Sequence, residues 1–287
     1  MSDKVNWYPG HMAKATRQIK EKLNLVDVVI ELRDARLPES SANPQLQELL
    51  SDQPVITLLT KADLAQQSVT DRWLDYFGDN TLIVSPETGQ GLKNLKNKLK
   101  EYYQEVKAAR QEKGLNSRKL RAMVVGLPNV GKSTLINKLA GGSRARTGRK
   151  PGVTRGQQWV KVSKEAELLD TPGLLWPDIT DKEMGYRLAI CGSVNPDVVD
   201  QELLACRLLD YLRDQSSGAI QQRYGVVDRG EHSYDLLAEI GRKRGCLQSG
   251  GRVDRERAAR IVLQEFQEGK LGRLTLEKAP QQTDQED

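Results

Sequence analysis

Histidine and cysteine are nearly missing from this chain of 287 residues, with two and three copies respectively. The cysteines, Cys191, Cys206 and Cys246, lie far apart, and no CxxC pair occurs. A zinc site needs clustered Cys and His ligands, and a disulfide framework needs a dense, even set. Both are therefore set aside in favour of buried free thiols. Aromatic residues make up only 5% of the chain, too few for an open sheet that stacks nucleic-acid bases. No run approaches the ~18 apolar residues of a membrane span. The start, Met1-Ser2-Asp3-Lys4-Val5-Asn6-Trp7, lacks the apolar core of a signal peptide. A cytoplasmic protein without a membrane partner is expected.

What remains is 38% hydrophobic and 29% charged, with a net charge of +5. That composition suits a globular protein of one large domain or two modest ones, and its charge permits a nucleic-acid partner without requiring one. Residues 11–23 read as a helix carrying Lys14, Arg17, Lys20 and Lys22. Short apolar runs at 26–32, 54–59, 81–84 and 122–125 read as buried strands. Helical stretches fit near 43–50 and 69–77. A longer helix spans 92–112, where Leu92, Leu95, Leu99, Tyr102, Val106 and Ala109 form one stripe. Two more strands are expected at 157–163 and 166–169. Alternation on this scale implies an α/β domain with a mostly parallel sheet covered by helices on both faces. Beyond about residue 180 the strand signal stops. Helices near 181–191, 197–214, 233–243 and 254–268 imply a small all-α domain. The expected organisation is 1–178, then a helical domain over 179–278, then a disordered polar tail over 279–287.

Gly126-Leu127-Pro128-Asn129-Val130-Gly131-Lys132-Ser133 fits G-x-x-x-x-G-K-[ST], between an expected strand and an expected helix. Glycines let backbone amides close around phosphate oxygens, and the helix N-terminus adds positive potential. Lys132 should reach the β- and γ-phosphates and Ser133 should bind Mg²⁺. Val130, Gly131 and Thr134 complete the phosphate contacts. Asp170-Thr171-Pro172-Gly173 ends the next apolar strand but one. There Asp170 can serve the Mg²⁺ and the Gly173 amide can approach the γ-phosphate. Between the two motifs lies a glycine-containing loop with Arg144, Arg146, Arg149, Lys150 and Arg155. In it Thr154 is the candidate switch threonine for Mg²⁺ and γ-phosphate. Thr60-Lys61-Ala62-Asp63 also ends an apolar strand, and Ser85 ends the following one. Asp63 can accept hydrogen bonds from the N1–H and 2-amino group of guanine. Adenine offers neither donor, so a carboxylate there would be left unpaired. The Lys61 stem can cover the face of the base.

The order is base motif, then phosphate loop, then switches, and in this order the chain resembles the circularly permuted P-loop GTPases. Within that group Trp7-Tyr8-Pro9-Gly10-His11-Met12-Ala13-Lys14-Ala15 and Asp34-Ala35-Arg36-Leu37-Pro38 look like signatures of the ribosome biogenesis GTPase A (YlqF) family. The resemblance implies GTP and GDP as ligands, Mg²⁺ as cofactor, and GTP hydrolysis in late assembly of the large ribosomal subunit. Its implied partners are the subunit precursor and its rRNA, and neither membrane nor DNA. A monomer is expected. The chain departs from the family pattern at Thr60, where asparagine is usual, and at Ser85-Pro86-Glu87 in place of Ser-Ala-Lys. A weaker contact to the base or the phosphate loop is expected at Thr60.

Leu174 stands where many GTPases place a glutamine that orients water, and leucine cannot hydrogen-bond water. The resemblance implies His11 for this role. Asn129 resembles the asparagine of potassium-activated GTPases, where K⁺ would neutralise charge between the β- and γ-phosphates; an asparagine suited to a tight loop is the alternative. Basic residues gather at 14–22, 110–121, 144–155 and 242–260. The last group holds Arg242, Lys243, Arg244, Arg252, Arg255, Arg257 and Arg260, which suits phosphate recognition of folded RNA. Two other classes compete with a GTPase switch: a P-loop enzyme acting on another substrate, and an RNA-binding module with a vestigial GTPase site. Intact Lys132, Ser133, Asp170 and Gly173 argue against the second.

Overall fold

The computed structural model describes residues 12–50, 53–142, 158–173, 179, 181–194, 199–216 and 218–280. His11, Thr154, Leu174 and the basic loop over 144–155 lie outside the described residues. Described residues between 8 and 177, together with those from 277 onward, form one compact unit. Those between 178 and 276 form a second.

The first unit opens with helix α1 (Met12–Leu23), followed by β1 (Val28–Asp34), α2 (Pro44–Leu49), β2 (Val55–Thr60), α3 (Gln67–Phe77) and β3 (Thr81–Ile83). It continues with α4 (Leu92–Glu112), β4 (Leu120–Gly126), α5 (Lys132–Ala140), β5 (Gln158–Lys161) and β6 (Ala166–Asp170). The six strands form one sheet in the order β3-β2-β1-β4-β6-β5. Every neighbouring pair is parallel except β5 with β6, which are antiparallel. The apolar run of β1 is buried along its whole length, as a strand covered on both faces requires. On one face Ile19 and Leu23 of α1 and Leu46 of α2 pack against Val29, Met123, Val125 and Leu169. Each such fully buried aliphatic side chain contributes about 1.5–3 kcal/mol. Trp73 and Val69 of α3 cover Leu59 and Ala35 farther along the sheet.

Helix ends follow local chemistry. Asn43 accepts from the amides of Gln45 and Leu46, and Pro44 occupies the first helical position of α2. Gly141, with φ +69°, stops α5. Strand β5 ends earlier than the expected 163: its ladder with β6 stops at Lys161 before the chain turns back at Ser163, whose hydroxyl accepts from the amides of Glu165 and Ala166.

The winding direction reverses between the central strands. β1, β2 and β3 step outward on one side, and β4, β6 and β5 on the other. At such a reversal, loops beyond the carboxyl ends of adjacent strands diverge and leave a crevice. β1 ends at Asp34, β2 at Thr60, β4 at Gly126 and β6 at Asp170, so four of the singled-out segments border that crevice.

The second unit holds α6 (Lys182–Ile190), α7 (Gln201–Gln215), α8 (Ala219–Tyr224), α9 (Ser233–Lys243) and α10 (Arg255–Gln267). Helix α7, capped by Asp200, begins later than the expected 197. Helix α8 was not anticipated, because six residues give too little periodicity to read. α7, α9 and α10 pack on one another. Arg213 ties them to the intervening loop: it donates to Asp228 at 2.6 and 3.0 Å, to Ser233 Oγ at 2.8 Å and to the Glu231 carbonyl at 2.6 Å. All three cysteines are buried and free. Burial, with Asp210 and other nearby carboxylates, pushes the Cys206 thiol up to about 12, so it is an inert packing residue.

The chain does not leave the first unit for good at residue 178. Glu277 is buried and its carboxylate accepts from the amides of Glu39 and Ser40 at 2.8 and 3.1 Å. Ala279 packs beside Trp73 and Phe77. The expected boundary at 278 and the expected tail from 279 are corrected accordingly: the return begins at Glu277, and Ala279 is docked. The polar composition that suggested a tail begins beyond these contacts.

Candidate nucleotide site

Strand β4 delivers the phosphate loop. Gly126 has φ +146°, and a Cβ there would lie 2.6 Å from the Leu32 carbonyl oxygen of β1. Only glycine allows this turn so close to the neighbouring strand. Asn129 has φ +58°, a left-handed conformation that asparagine tolerates better than most residues. The loop geometry thus supplies its own reason for asparagine at this position.

Lys132 is buried and its Nζ donates to the Gly126 and Leu127 carbonyls at 3.1 and 2.7 Å. The amine therefore lies folded against the loop that would surround phosphates. Burial pushes it down to about 8; Asp170 opposes this and Lys61 adds to it. The base motif and the phosphate loop lie close together.

Thr60 joins them directly. Its hydroxyl lies 2.8 Å from the Val130 carbonyl of the phosphate loop and 3.0 Å from the Arg33 carbonyl of β1. Threonine in place of the usual asparagine therefore still makes a contact to the phosphate loop. The shorter side chain reaches because β1, β2 and β4 bring the segments within a hydroxyl's span. Lys61 has φ +57° and its Nζ donates to Asp34 at 2.9 Å. Asp63 is half-buried in the turn that follows. Ser85 is fully buried, pairs through its amide with the Gln90 carbonyl at 3.1 Å, and accepts at Oγ from the Thr88 amide at 3.3 Å. The Pro86-Glu87 departure is thereby accommodated in a closed turn.

Across the crevice, Ser133 Oγ donates to Asp170 Oδ2 at 3.0 Å. Asp170 Oδ1 is buried without a hydrogen-bond partner among the described residues. Burial pushes its carboxyl up, while the Ser133 hydrogen bond and the Lys132 charge oppose this. Two hard oxygen donors, one of them a buried acceptor left over, fit a divalent cation such as Mg²⁺. Thr171 Oγ1 donates to the Val124 carbonyl at 2.7 Å, fixing the DTPG turn to β4. A Cβ on Gly173 would lie 2.6 Å from Pro128 Cα. The glycine is thus required by the phosphate loop itself, whereas the sequence suggested only approach to a phosphate.

Asp34 is the residue whose role the sequence did not disclose. It stood in a family signature, and nothing in its spacing pointed at Lys61. Its carboxylate is fully buried, receives Arg36 at 2.9 and 2.8 Å, and holds Lys61. The signal was an acid at the carboxyl end of a fully buried strand, followed by an arginine that can neutralise it.

Comparison with known proteins agrees with this geometry. A family model described as 50S ribosome-binding GTPase matches residues 121–219. Ribosome biogenesis GTPase A of Priestia megaterium is 44% identical over 95% of this chain and 96% of its own. The same-named protein of Thermotoga maritima is 32% identical over 96% of this chain and 94% of its own. A GDP-bound structure of TM YlqF superimposes with a TM-score of 0.67 at 30% identity, covering 91% of this chain and 99% of that one. This chain belongs to the ribosome biogenesis GTPase A family. It is a GTPase of ribosome biogenesis, with a circularly permuted P-loop domain followed by a helical unit. As in other members of the ribosome biogenesis GTPase A family, the ligand is a guanine nucleotide.

Among the described residues of the helical unit, Arg242, Lys243, Arg252 and Arg257 are exposed and carry no ion pair. Arg244 differs from the expectation of a free basic surface. It pairs with Glu265 and stacks over Tyr224 at 5.3 Å, so its charge is spent inside the unit. Arg255 and Arg260 form exposed pairs with Glu202 and Glu256, which contribute little and leave both available to a phosphate. No helix among the described residues is long and apolar enough to cross a membrane.

Proposed function

We propose that this GTPase acts in late maturation of the large (50S) ribosomal subunit, and that the particle stimulates its turnover. The observation carrying most weight is the Thr60 hydroxyl on the Val130 carbonyl, which supports reading the base motif and the phosphate loop as one continuous site despite their exchanged order. In this reading Asp63 accepts from the guanine edge, Lys61 covers the face of the base, and Ser85 closes the pocket. The amides of Val130, Gly131, Ser133 and Thr134 cradle the phosphates, and Lys132 swings from its two carbonyls to the β- and γ-phosphates. Ser133 and Asp170, with Thr154, would hold Mg²⁺, which supplies charge neutralisation at the transferred phosphoryl group. The Gly173 amide senses the γ-phosphate. His11 orients the attacking water in place of a glutamine at 174. Asn129 would bind K⁺, which stabilises charge between the β- and γ-phosphates. The exposed arginines of α10 and the loop before it bind rRNA phosphates, and the protein works as a cytoplasmic monomer.

The test is GTP turnover with and without large ribosomal subunits, in K⁺ and in Na⁺ buffers, for the native chain, Lys132→Ala and His11→Ala. Turnover rising with subunits and with K⁺ is expected for the native chain. Lys132→Ala should lose turnover and weaken triphosphate binding. His11→Ala should keep GTP binding and lose the stimulated component. Subunits without effect would sink the ribosomal reading, and loss of GTP binding in His11→Ala would make that residue structural.

A further inference from the structure

The segment that returns from the helical unit lands on the loop behind the base motif. Glu277 is 6% exposed. Its carboxylate accepts from the Glu39 amide at 2.8 Å and from the Ser40 amide at 3.1 and 3.2 Å. Its carbonyl oxygen lies 3.5 Å from Trp73 Nε1. A buried carboxylate on two backbone amides is a strong, charge-assisted contact. Nothing in the phosphate or switch chemistry requires it.

The loop it grips, residues 35–42, is closed on the end of β1. The Asp34 amide donates to Ser41 Oγ at 2.9 Å, and Ser41 Oγ donates in turn to the Leu37 carbonyl. The Asp34 carboxylate accepts from the Arg36 amide at 3.0 Å, from its Nε at 2.9 Å and from its Nη2 at 2.8 Å. The same carboxylate holds Lys61 Nζ at 2.9 Å. Burial pushes the Asp34 carboxyl up, but Arg36 and then Lys61 outweigh it and hold the group well below the usual carboxylate range. The charge that anchors Lys61 is therefore always present at physiological pH. Lys61 has only partial exposure and a left-handed backbone, so its direction depends on that anchor.

We propose that Glu277 is a positioning residue for the base-recognition lysine: it clamps the 35–42 loop, the loop sets Asp34, and Asp34 aims Lys61. The chain that has passed through the helical unit thus rejoins the nucleotide site on its base side. The helical unit is tied by sequence to the switch side at its start and to the base side at its end. A pull on the returning segment would release the Glu39 and Ser40 amides, loosen Lys61 and speed nucleotide release. The inference rests on the reading above that Lys61 covers the face of the guanine.

The experiment is a double-mutant cycle on the full chain, read as the dissociation rate of a fluorescent GDP. Variants are Glu277→Ala, Glu277→Gln, Lys61→Met and the Ala/Met double. Glu277→Ala is expected to raise the rate about three- to tenfold in the native background and less than about twofold on Lys61→Met, because the two act through one contact. Glu277→Gln keeps one oxygen acceptor and should fall between. Hydrogen exchange at the Glu39 and Ser40 amides should accelerate in Glu277→Ala while the melting temperature of the P-loop unit stays close to native. Equal rate increases in both backgrounds, or unchanged protection of those amides, would overturn the proposal. If Lys61→Met alone leaves GDP release unchanged, the assignment of Lys61 to the base fails first, and the clamp has no target.

Discussion

Lys132 is a cation held where burial favours its neutral form. Its amine titrates near 8 here and near 10.5 in an unfolded chain. Between those values the unfolded chain binds more protons, so the ligand-free fold gains stability as pH rises through that window. Nucleotide binding has the opposite sign. Phosphate favours the charged amine and restores its proton, so affinity should fall by up to about tenfold per pH unit above 8. Calorimetry at pH 9 in two buffers of different ionisation enthalpy should detect proton uptake on GDP binding. A dissociation constant flat from pH 7 to 9.5 would remove Lys132 from the phosphates. Thr60 carries the second prediction at this scale. Thr60→Val keeps the shape and removes the hydroxyl, whose single proton lies nearer the Val130 carbonyl, leaving that carbonyl short of a donor, a cost of about 1–3 kcal/mol. Urea unfolding and GDP titration should both register it. If neither moves, the contact between base motif and phosphate loop contributes nothing.

The functional residues act only because elements end where they do. β2 ends at Thr60, β4 at Gly126 and β6 at Asp170, and each ends on the first residue of its motif. The DTPG turn touches the phosphate loop so closely that Gly173→Ala would place a methyl against Pro128 backbone. A shift of even 1 Å at the reacting centre costs on the order of a hundredfold in rate. Turnover in Gly173→Ala should drop by about that factor while GDP affinity changes far less, since GDP has no γ-phosphate to misplace. Equal losses in both would mean the glycine is needed only for folding. Elements of this unit were legible because buried strands carry unbroken apolar runs and α4 a clean stripe. The early end of β5, and helix α8 of the second unit, were not. Six residues carry no period, and the length of an antiparallel edge depends on where its partner stops.

On the scale of the whole molecule, the described residues enter the helical unit once and leave it once. The chain leaves the first unit after the DTPG motif and comes back at Glu277. We expect the nucleotide state to set the affinity for the large ribosomal subunit, because the outgoing attachment follows the turn proposed to sense the γ-phosphate. Co-sedimentation with GDP and with a non-hydrolysable GTP analogue should give distinct affinities. Identical values would count heavily against that coupling.

The sequence by itself determined the motifs: the phosphate-loop pattern, the carboxylate proposed to read guanine, and the order in which they come. It did so because each motif is a short run whose meaning depends on neighbours a few residues away. Tertiary structure alone decided which runs meet. That a threonine can reach Val130 follows from strand order. That Asp34 holds Lys61, separated by 27 residues, follows from the parallel pairing of β1 with β2. That Glu277 reaches residues 39 and 40 across 238 and 237 positions follows from a chain that loops through an entire second unit and returns. Such contacts depend on three-dimensional closure, and no local pattern of side chains encodes them.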